Sequence, residues 1–301
     1  MNIMKLQIVV LLEKYKKVTD VAAELGLKQP TVSFHMKNLE TELGASLFHY
    51  RSGRVLLTDA GRALHSYAVK IVALAADAQR SVKQLASSST GHLELEAAYI
   101  PTTYILPKAV SAFMEQNPGI QFKLAVNSDV DVRERLRSRE IQLAVLHSSS
   151  WNDESFHFRL IARDEPVLIF PPGHPLDVAE PLTPEQVARE PWIQQDSGSF
   201  LRHTSERWAE LNHVRLWNRA ELNSPGSVKR LIAAGGGAGV YSSAGIAAEL
   251  ALGQLKSAPL PGILPESGGF VLAWRKDYDL SPLQEAFAAM IAGGEPPAAG
   301  E

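Results

Sequence analysis

Gln29, Ser33, Phe34 and Lys37 share one face of a predicted helix that follows a turn at Gly26, and Arg51 and Arg54 bracket the pair Ser52-Gly53 further along. Short polar groups near the start of a helix can reach base edges in a major groove. Guanidinium groups on a hairpin tip can reach phosphates or a minor groove. Two amphipathic helices, or a solvated charged turn, would show part of this pattern. A solvated phenylalanine on the polar face adds to it, because such a side chain marks a contact surface. A second set lies at the carboxyl ends of predicted strands: Ile100-Pro101-Thr102-Thr103, Ser128, His147, Gln195, Ser197 and Ser224. Strand ends of an α/β sheet are where ligands bind. Hydroxyls beside helix starts suit a carboxylate or other small anion. Each of these residues could equally be a helix cap; as a set they point to a ligand.

Other chemistries find little support. The chain has no cysteine, so disulfides, thiolate metal sites and thiol redox sensing are excluded. Gly235-Gly236-Gly237-Ala238-Gly239 follows a helix and precedes a strand, the reverse of a nucleotide fingerprint, and reads as a helix end and turn. The nine histidines lack metal-binding spacing, and there is no Gly-x-Ser-x-Gly elbow. We expect no enzyme activity, no metal and no resident cofactor.

The elements that must hold these residues are legible. Ile8, Leu11, Leu12 and Tyr15 give a first amphipathic helix. Thr19 or Asp20 caps a second, buried through Val21, Ala22 and Leu25 and ended by Gly26. Pro30 opens a third, with Val32, Met36 and Leu39 inward. From Arg62 to Leu85 there is neither Pro nor Gly, and Leu64, Ala68, Ile71, Ala75, Ala78, Val82 and Leu85 form a heptad seam. A single buried helix would show the same stripe. Ser87 to Gly91 reads as a polar hinge.

Beyond it the period changes. Strands over Leu93–Ala97, Ile120–Val126 and Ile141–Leu146 alternate with helices over Ile105–Met114 and Val130–Arg139, which predicts a parallel sheet. Similar pieces recur at Val167–Phe170, Trp192–Gln194, Arg219–Leu222 and Gly239–Tyr241, with helices at Phe200–Leu211 and Ser227–Ala234. A last strand, Phe270–Trp274, and a helix, Ser281–Ile291, return to the first lobe. The tail from Gly293 is expected to be disordered.

Charge follows the same division. Up to Arg62 nine basic residues face six acidic ones, a surplus of +3, which leaves −6 for the rest of a chain whose total is −3. A basic head on an acidic body suits a protein whose head alone touches phosphate. No apolar run is long enough to span a bilayer, and the first residues lack a signal-peptide pattern, so a cytoplasmic protein is expected, without a membrane partner.

Val21-Ala22-Ala23-Glu24-Leu25, Gln29-Pro30-Thr31-Val32-Ser33, Asn38 to Gly44 and Leu47 to Gly61 together resemble the head of LysR-type transcriptional regulators. Tyr104-Ile105-Leu106-Pro107, the Asn117-Pro118 turn, Glu140 to Val145 and Ala233 to Gly237 resemble the sensor domain of that family more loosely. Lys28, Phe34 and Tyr50 stand where the family commonly has Ser, Arg and Arg, departures that bear on the operator sequence.

The resemblance implies an α/β protein with an N-terminal winged helix-turn-helix (1–61), a linker and dimerisation helix with its hinge (62–90), and a two-lobed effector-binding domain (91–301) similar to periplasmic solute-binding proteins. Lobe one is placed at about 91–162 and 266–301, lobe two at about 163–265. It implies double-stranded operator DNA, a small-molecule effector and a second copy of the chain as partners. Dimer or tetramer is left open, as is RNA polymerase as a further partner. Lys28, Gln29, Pro30, Thr31, Ser33, Phe34, Lys37, Arg51 and Arg54 are then the DNA contacts, and the heptad seam holds the dimer. A solute-binding module or an α/β enzyme with an accessory head are the competing readings; the head argues against the first and the missing catalytic constellation against the second.

Overall fold

The computed structural model describes residues 1–86, 91–148, 153–177, 181–265 and 268–292. Contacts divide it into two compact units, residues 1–88 and, for the most part, the chain from 89 onward. The predicted hinge at Ser87–Thr90 and the tail from Gly293 lie outside the described residues.

The first unit holds α1 (Ile3–Tyr15), α2 (Val18–Glu24), α3 (Gln29–Leu43), the hairpin β1 (Phe48–Arg51) and β2 (Arg54–Leu57), and α4 (Asp59–Ala86). The Asn2 side chain accepts from Lys5 N–H and caps α1. Neither Thr19 nor Asp20 caps α2, contrary to expectation: the helix starts earlier, at Val18, and the Thr19 hydroxyl donates to Asp20. Gly26 and Gly44, both at φ 63°, follow α2 and α3. Val32, Met36 and Leu39 of α3 are buried against α1, α2 and the hairpin. Ser52 and Gly53, at φ 51° and 74°, supply the two left-handed residues of a tight hairpin turn. Where α4 leaves the hairpin, a side chain at Gly61 would stand 2.2 Å from the Leu47 carbonyl oxygen, so only glycine fits.

The second unit has two sheet systems. A five-stranded sheet, ordered β4-β3-β5-β12-β6, contains β3 (His92–Ala98), β4 (Gln121–Asn127), β5 (Ala144–His147), β6 (Phe156–Asp164) and β12 (Gly268–Arg275). A short π-helix (Pro101–Ile105) and then α5 (Leu106–Gln116) connect β3 to β4, and α6 (Asp129–Arg137) connects β4 to β5. β3, β4 and β5 are parallel, as the alternation predicts, but β12 runs antiparallel to both β5 and β6 because it returns from the far sheet. The strand β6 is absent from the sequence reading. A register shift opposite Phe270/Val271 leaves Ile161 unpaired, and this bulge breaks the period of two that would reveal the strand.

The far sheet carries β7 (Pro166–Phe170), α7 (Pro184–Arg189), β8 (Pro191–Gln195), α8 (Phe200–Leu211), β9 (Trp217–Leu222), α9 (Pro225–Ala233), β10 (Gly239–Ser242), α10 (Ala247–Ala251) and β11 (Lys256–Ala258). Its strands pair as β10-β7-β11 and β8-β9, joined by a bridge between Trp192 and Ala238. Trp192 and Trp208 stack at 5.8 Å in its core. Helix α11 (Pro282–Ala292) brings Phe287 against Phe113 and Phe122 under the first sheet.

Candidate nucleic-acid interface and effector cavity

The exposed face of α3 follows from what its other face buries. With Val32, Met36 and Leu39 inward, Lys28, Gln29, Pro30, Phe34 and Lys37 are exposed and Thr31 and Ser33 are half-buried. Phe34 is 62% exposed and meets only the edge of His35, at 6.0 Å between rings. The hairpin is fixed beside this face by Glu40 of α3, whose Oε1 accepts from Leu47 N at 2.8 Å and from Phe48 N at 3.2 Å. At its tip Arg51 and Arg54 are cross-strand partners, both exposed.

Charge is arranged unevenly in this unit. Lys5, Lys16 and Arg62 are paired with Glu42, Glu13 and Asp59. The Glu42 carboxyl is held down at about 2 by hydrogen bonds from Lys5 and the N-terminal amine. Among the described residues, none of Lys28, Lys37, Arg51 and Arg54 has an acidic partner. Among the described residues the α3 face and the hairpin tip thus present four cations without carboxylate partners, as Lys14 and Lys17 also are elsewhere in the unit, and such a surface suits a polyanion.

The predicted seam of α4 divides in two. Ala68 is fully buried and Leu64 is packed in the unit's own core, because the first turns of α4 lie on α1. These two positions therefore face inward within one chain. Further along, Ile71, Ala78 and Val82 are exposed, Ala75 is half-buried, and Tyr67 and Leu74 join the exposed stripe. The side chain of Leu85 lies outside the described residues.

In the second unit a cavity of about 280 Å³ opens where strands end and helices begin. Tyr99 and Ile100 follow β3, Val126 and Asn127 end β4, and Ser128 and Asp129 begin α6. Gln195 and Asp196 end β8, Ser199 and Phe200 begin α8, and Asn223, Ser224 and Pro225 lead into α9. Of the predicted effector residues, Ile100, Ser128, Gln195 and Ser224 line this cavity, while Pro101, Thr102, Thr103, His147 and Ser197 do not. Thr102 and Thr103 donate to the carbonyls of Ala98 and Tyr99, at 2.8 and 2.9 Å, inside the turn that starts the π-helix. Ser197 is exposed on the turn after β8.

His147 is buried behind the cavity, stacked on Phe200 at 4.2 Å and set edge-on to Phe270 at 5.3 Å. Burial lowers its imidazole to about 4, so the ring is neutral at pH 7. Its Nε2 lies 3.8 Å from Asp164 Oδ2, and burial raises the Asp164 carboxyl despite a hydrogen bond from Ser242.

Val126, Asp129, Ser199, Phe200 and Pro225 are wall residues that sequence reasoning missed. Asp129 reads as an ordinary acidic first-turn residue and Phe200 as core, and no spacing sets them apart. Asp129 is buried, and its carboxyl accepts from the backbone N–H groups of His147 and Phe200. Burial raises it to about 6 against those hydrogen bonds. The carboxyl thus ties β5 of the first sheet to the start of α8 beside the second. A second tie is Lys229 of α9, whose Nζ donates to Tyr104 Oη at 2.9 Å and Gly245 O at 2.7 Å and pairs with Glu249 at 2.7 Å. Burial alone would lower this ammonium, but Glu249 and Tyr104 outweigh it and raise it.

Among the described residues no group of three or more His, Asp or Glu is placed to hold a metal, and no helix is long and apolar enough to cross a membrane. Comparison with known proteins covers both units. A family model described as "Bacterial regulatory helix-turn-helix protein, lysR family" matches residues 3–62, and one described as "LysR substrate binding domain" matches residues 86–294. A "Probable RuBisCO transcriptional regulator" of Trichormus variabilis is 30% identical over 255 residues, 83% of this chain and 75% of that one. The solved structure "Crystal structure of full-length CbnR complexed with the target DNA complex" is 18% identical, with a TM-score of 0.64 over 97% of this chain and 99% of that one. "Effector binding domain of QuiR in complex with shikimate" is 18% identical, with a TM-score of 0.59 over 68% of this chain and 96% of that one.

Proposed function

The chain belongs to the lysR family of bacterial regulatory helix-turn-helix proteins, a DNA-binding transcriptional regulator with an effector-binding domain, and from that premise we propose which of its residues bind and respond. Lys28, Gln29, Pro30, Thr31, Ser33, Phe34 and Lys37 enter the major groove, and Arg51 and Arg54 hold the flanking backbone. The observation that carries this reading is an exposed Phe34 on the same helix as the exposed Lys28 and Lys37, which have no acidic partner among the described residues. Gln29 and Ser33 supply polar contacts to base edges, and Phe34 packs on a thymine methyl.

The working divisions are a head at 1–61, a linker at 62–90 and a body at 91–301. Two copies pair through the stripe Tyr67, Ile71, Leu74, Ala78 and Val82, whose large apolar members are left in solvent in the single chain. Two heads then address a two-fold operator. A small polar effector occupies the cavity between the sheet systems and biases their arrangement. It must bind two arrangements unequally, or nothing is transmitted. The effector-binding domain of QuiR, solved in complex with shikimate, has a similar fold. The protein works in the cytoplasm and is not an enzyme.

Sedimentation and DNA binding of Ile71→Glu test the pairing. The charge would have to be buried in an apolar seam; monomers that fail to hold operator DNA are expected. A fully dimeric variant would move the interface elsewhere.

A further inference from the structure

Three helices, α6, α8 and α9, start in the wall of the cavity, and their free N–H groups and dipoles favour negative charge there. The first two are already served. The Ser128 hydroxyl takes Asp131 N–H, the Asp129 carboxyl takes Phe200 N–H, and the Ser199 hydroxyl takes Leu201 N–H. Asp129 is in effect an internal carboxylate seated at the start of α8. At α9 the Ser224 hydroxyl takes only Ser227 N–H, at 3.4 Å, and Pro225 has no N–H to offer. The Gly226 N–H is left as the orphan donor of that turn.

A second, independent feature lies in the same wall. Gln195 is 4% exposed; its Oε1 accepts from the Ser199 hydroxyl at 2.5 Å, whereas its Nε2 has no hydrogen-bond partner. Buried amide donors are nearly always paired, so this one calls for an acceptor. Among the described residues, side chains lining the cavity include two carboxylates, Asp129 and Asp196, and no Lys, Arg or His.

We propose that Gln195 is the specificity-determining donor of the cavity and that, with the first turn of α9, it selects the carboxylate of a small monocarboxylic acid. This rests on reading the cavity as the effector site. Tyr99, Ile100, Val126 and Phe200 give the carbon skeleton an apolar wall. One negative charge is matched by neutral N–H donors and a helix start. A phosphate monoester, with a charge of about −1.5 to −2 at pH 7, meets two carboxylates and no cation. An ammonium group finds the carboxylates but leaves the Gln195 donor unmet.

The test is a matched panel of carboxylates, phosphate monoesters and primary amines on the same aromatic, aliphatic and hydroxylated skeletons. Binding to the purified full-length chain is followed by thermal shift and calorimetry. Carboxylates are expected to bind best. Gln195→Leu should weaken them roughly tenfold to a hundredfold, the effect of losing one hydrogen bond to a charged group. Gln195→Glu retains an acceptor for Ser199 at nearly the same volume, and so remains informative if the leucine variant does not fold. It should weaken carboxylates further and shift preference toward the amines. Preference for phosphate monoesters or amines in the parent chain overturns the proposal, as does a Gln195→Glu variant that binds carboxylates unchanged. Val126→Trp, at an exposed wall position, should abolish all binding by filling the cavity. Carboxylate binding that survives Val126→Trp overturns the cavity reading together with the proposal. Binding lost in Val126→Trp but untouched by Gln195→Glu overturns the proposal alone.

Discussion

Arg51 and Arg54 stand in solvent with no carboxylate partner among the described residues, while Asp129 in the cavity wall and His147 behind it are buried, which raises the carboxyl to about 6 and lowers the imidazole to about 4. If the hairpin tip meets DNA as proposed, it keeps its charge hydrated until that polyanion arrives, and its energetics are those of screened, surface electrostatics. Asp129 and Gln195 in the cavity wall are buried, and what such a wall reads depends on which donors and acceptors remain unmatched. On the proposed assignments, one chain carries a site sensitive to salt and tolerant of local packing, and another tolerant of salt and sensitive to single hydrogen bonds.

Salt should separate the two sites most strongly. With six to ten phosphate contacts, DNA affinity is expected to fall by about 10³ to 10⁵ between 50 and 200 mM salt. Binding of a carboxylate in the cavity should change far less over the same range. Parallel titrations by fluorescence anisotropy and calorimetry check this; equal salt slopes would break the contrast.

The next effect is in stability against pH. Asp129 at about 6, against an ordinary value near 4, means the folded protein binds more protons than the unfolded chain in that window. Its contribution falls as pH rises from about 4 to 6, by up to about 3 kcal/mol. His147 at about 4, against 6.5, acts in the opposite sense: the unfolded chain binds the extra proton, and stability rises with pH between about 4 and 6.5. The two slopes oppose each other in the parent protein. Asp129→Asn removes the falling limb, so its stability should climb between pH 4.5 and 7 relative to the parent. All five tryptophans, at 151, 192, 208, 217 and 274, lie beyond the head, so urea unfolding followed by their fluorescence reports this unit specifically. Parallel profiles for parent and variant would show that the Asp129 charge is not suppressed.

Phe34→Ala comes third. It should lose on the order of 1–3 kcal/mol of discrimination between a favoured base and its alternatives, with folding stability unchanged because the ring is exposed. An unchanged preference for operator over random DNA would remove Phe34 from the groove. The smallest effect is expected from Arg51→Ala or Arg54→Ala, each lowering affinity on all sequences alike and reducing the salt slope by about one. Loss of sequence preference instead would make the hairpin a base reader.

The same contrast explains what the sequence could reveal. In the head, the proposed contacts and the core are written on one helix: Val32, Met36 and Leu39 point in, so Phe34 and Lys37 point out with Ser33 half-buried beside them, and no distant partner changes that. The cavity draws its wall from segments after β3, β4, β8 and β9, and the role of each polar group depends on neighbours far along the chain. Thr102 and Thr103 look like ligand hydroxyls in sequence yet bond the carbonyls of Ala98 and Tyr99. Asp129 looks like a helix-start acid, and becomes a buried link only because β5 and α8 meet it. Ala68 satisfies a heptad as well as any alanine, and nothing in its spacing tells that α1 already covers it. Strand β6 escaped for a local reason, the bulge at Ile161; β12 is expected as the last strand, and only its antiparallel direction is not legible, since strand direction depends on where the chain returns from.

The most direct test of the account is selection of duplexes from a random DNA pool by the full-length protein at near-physiological salt, repeated with Phe34→Ala. The account predicts enrichment of a two-fold-symmetric motif whose half-sites are centred one helical turn, or a multiple of it, apart, with at least one position per half-site losing its preference in the variant. A pool that stays random, or a motif identical in both proteins, would contradict the assignment of α3 as the element that reads the sequence.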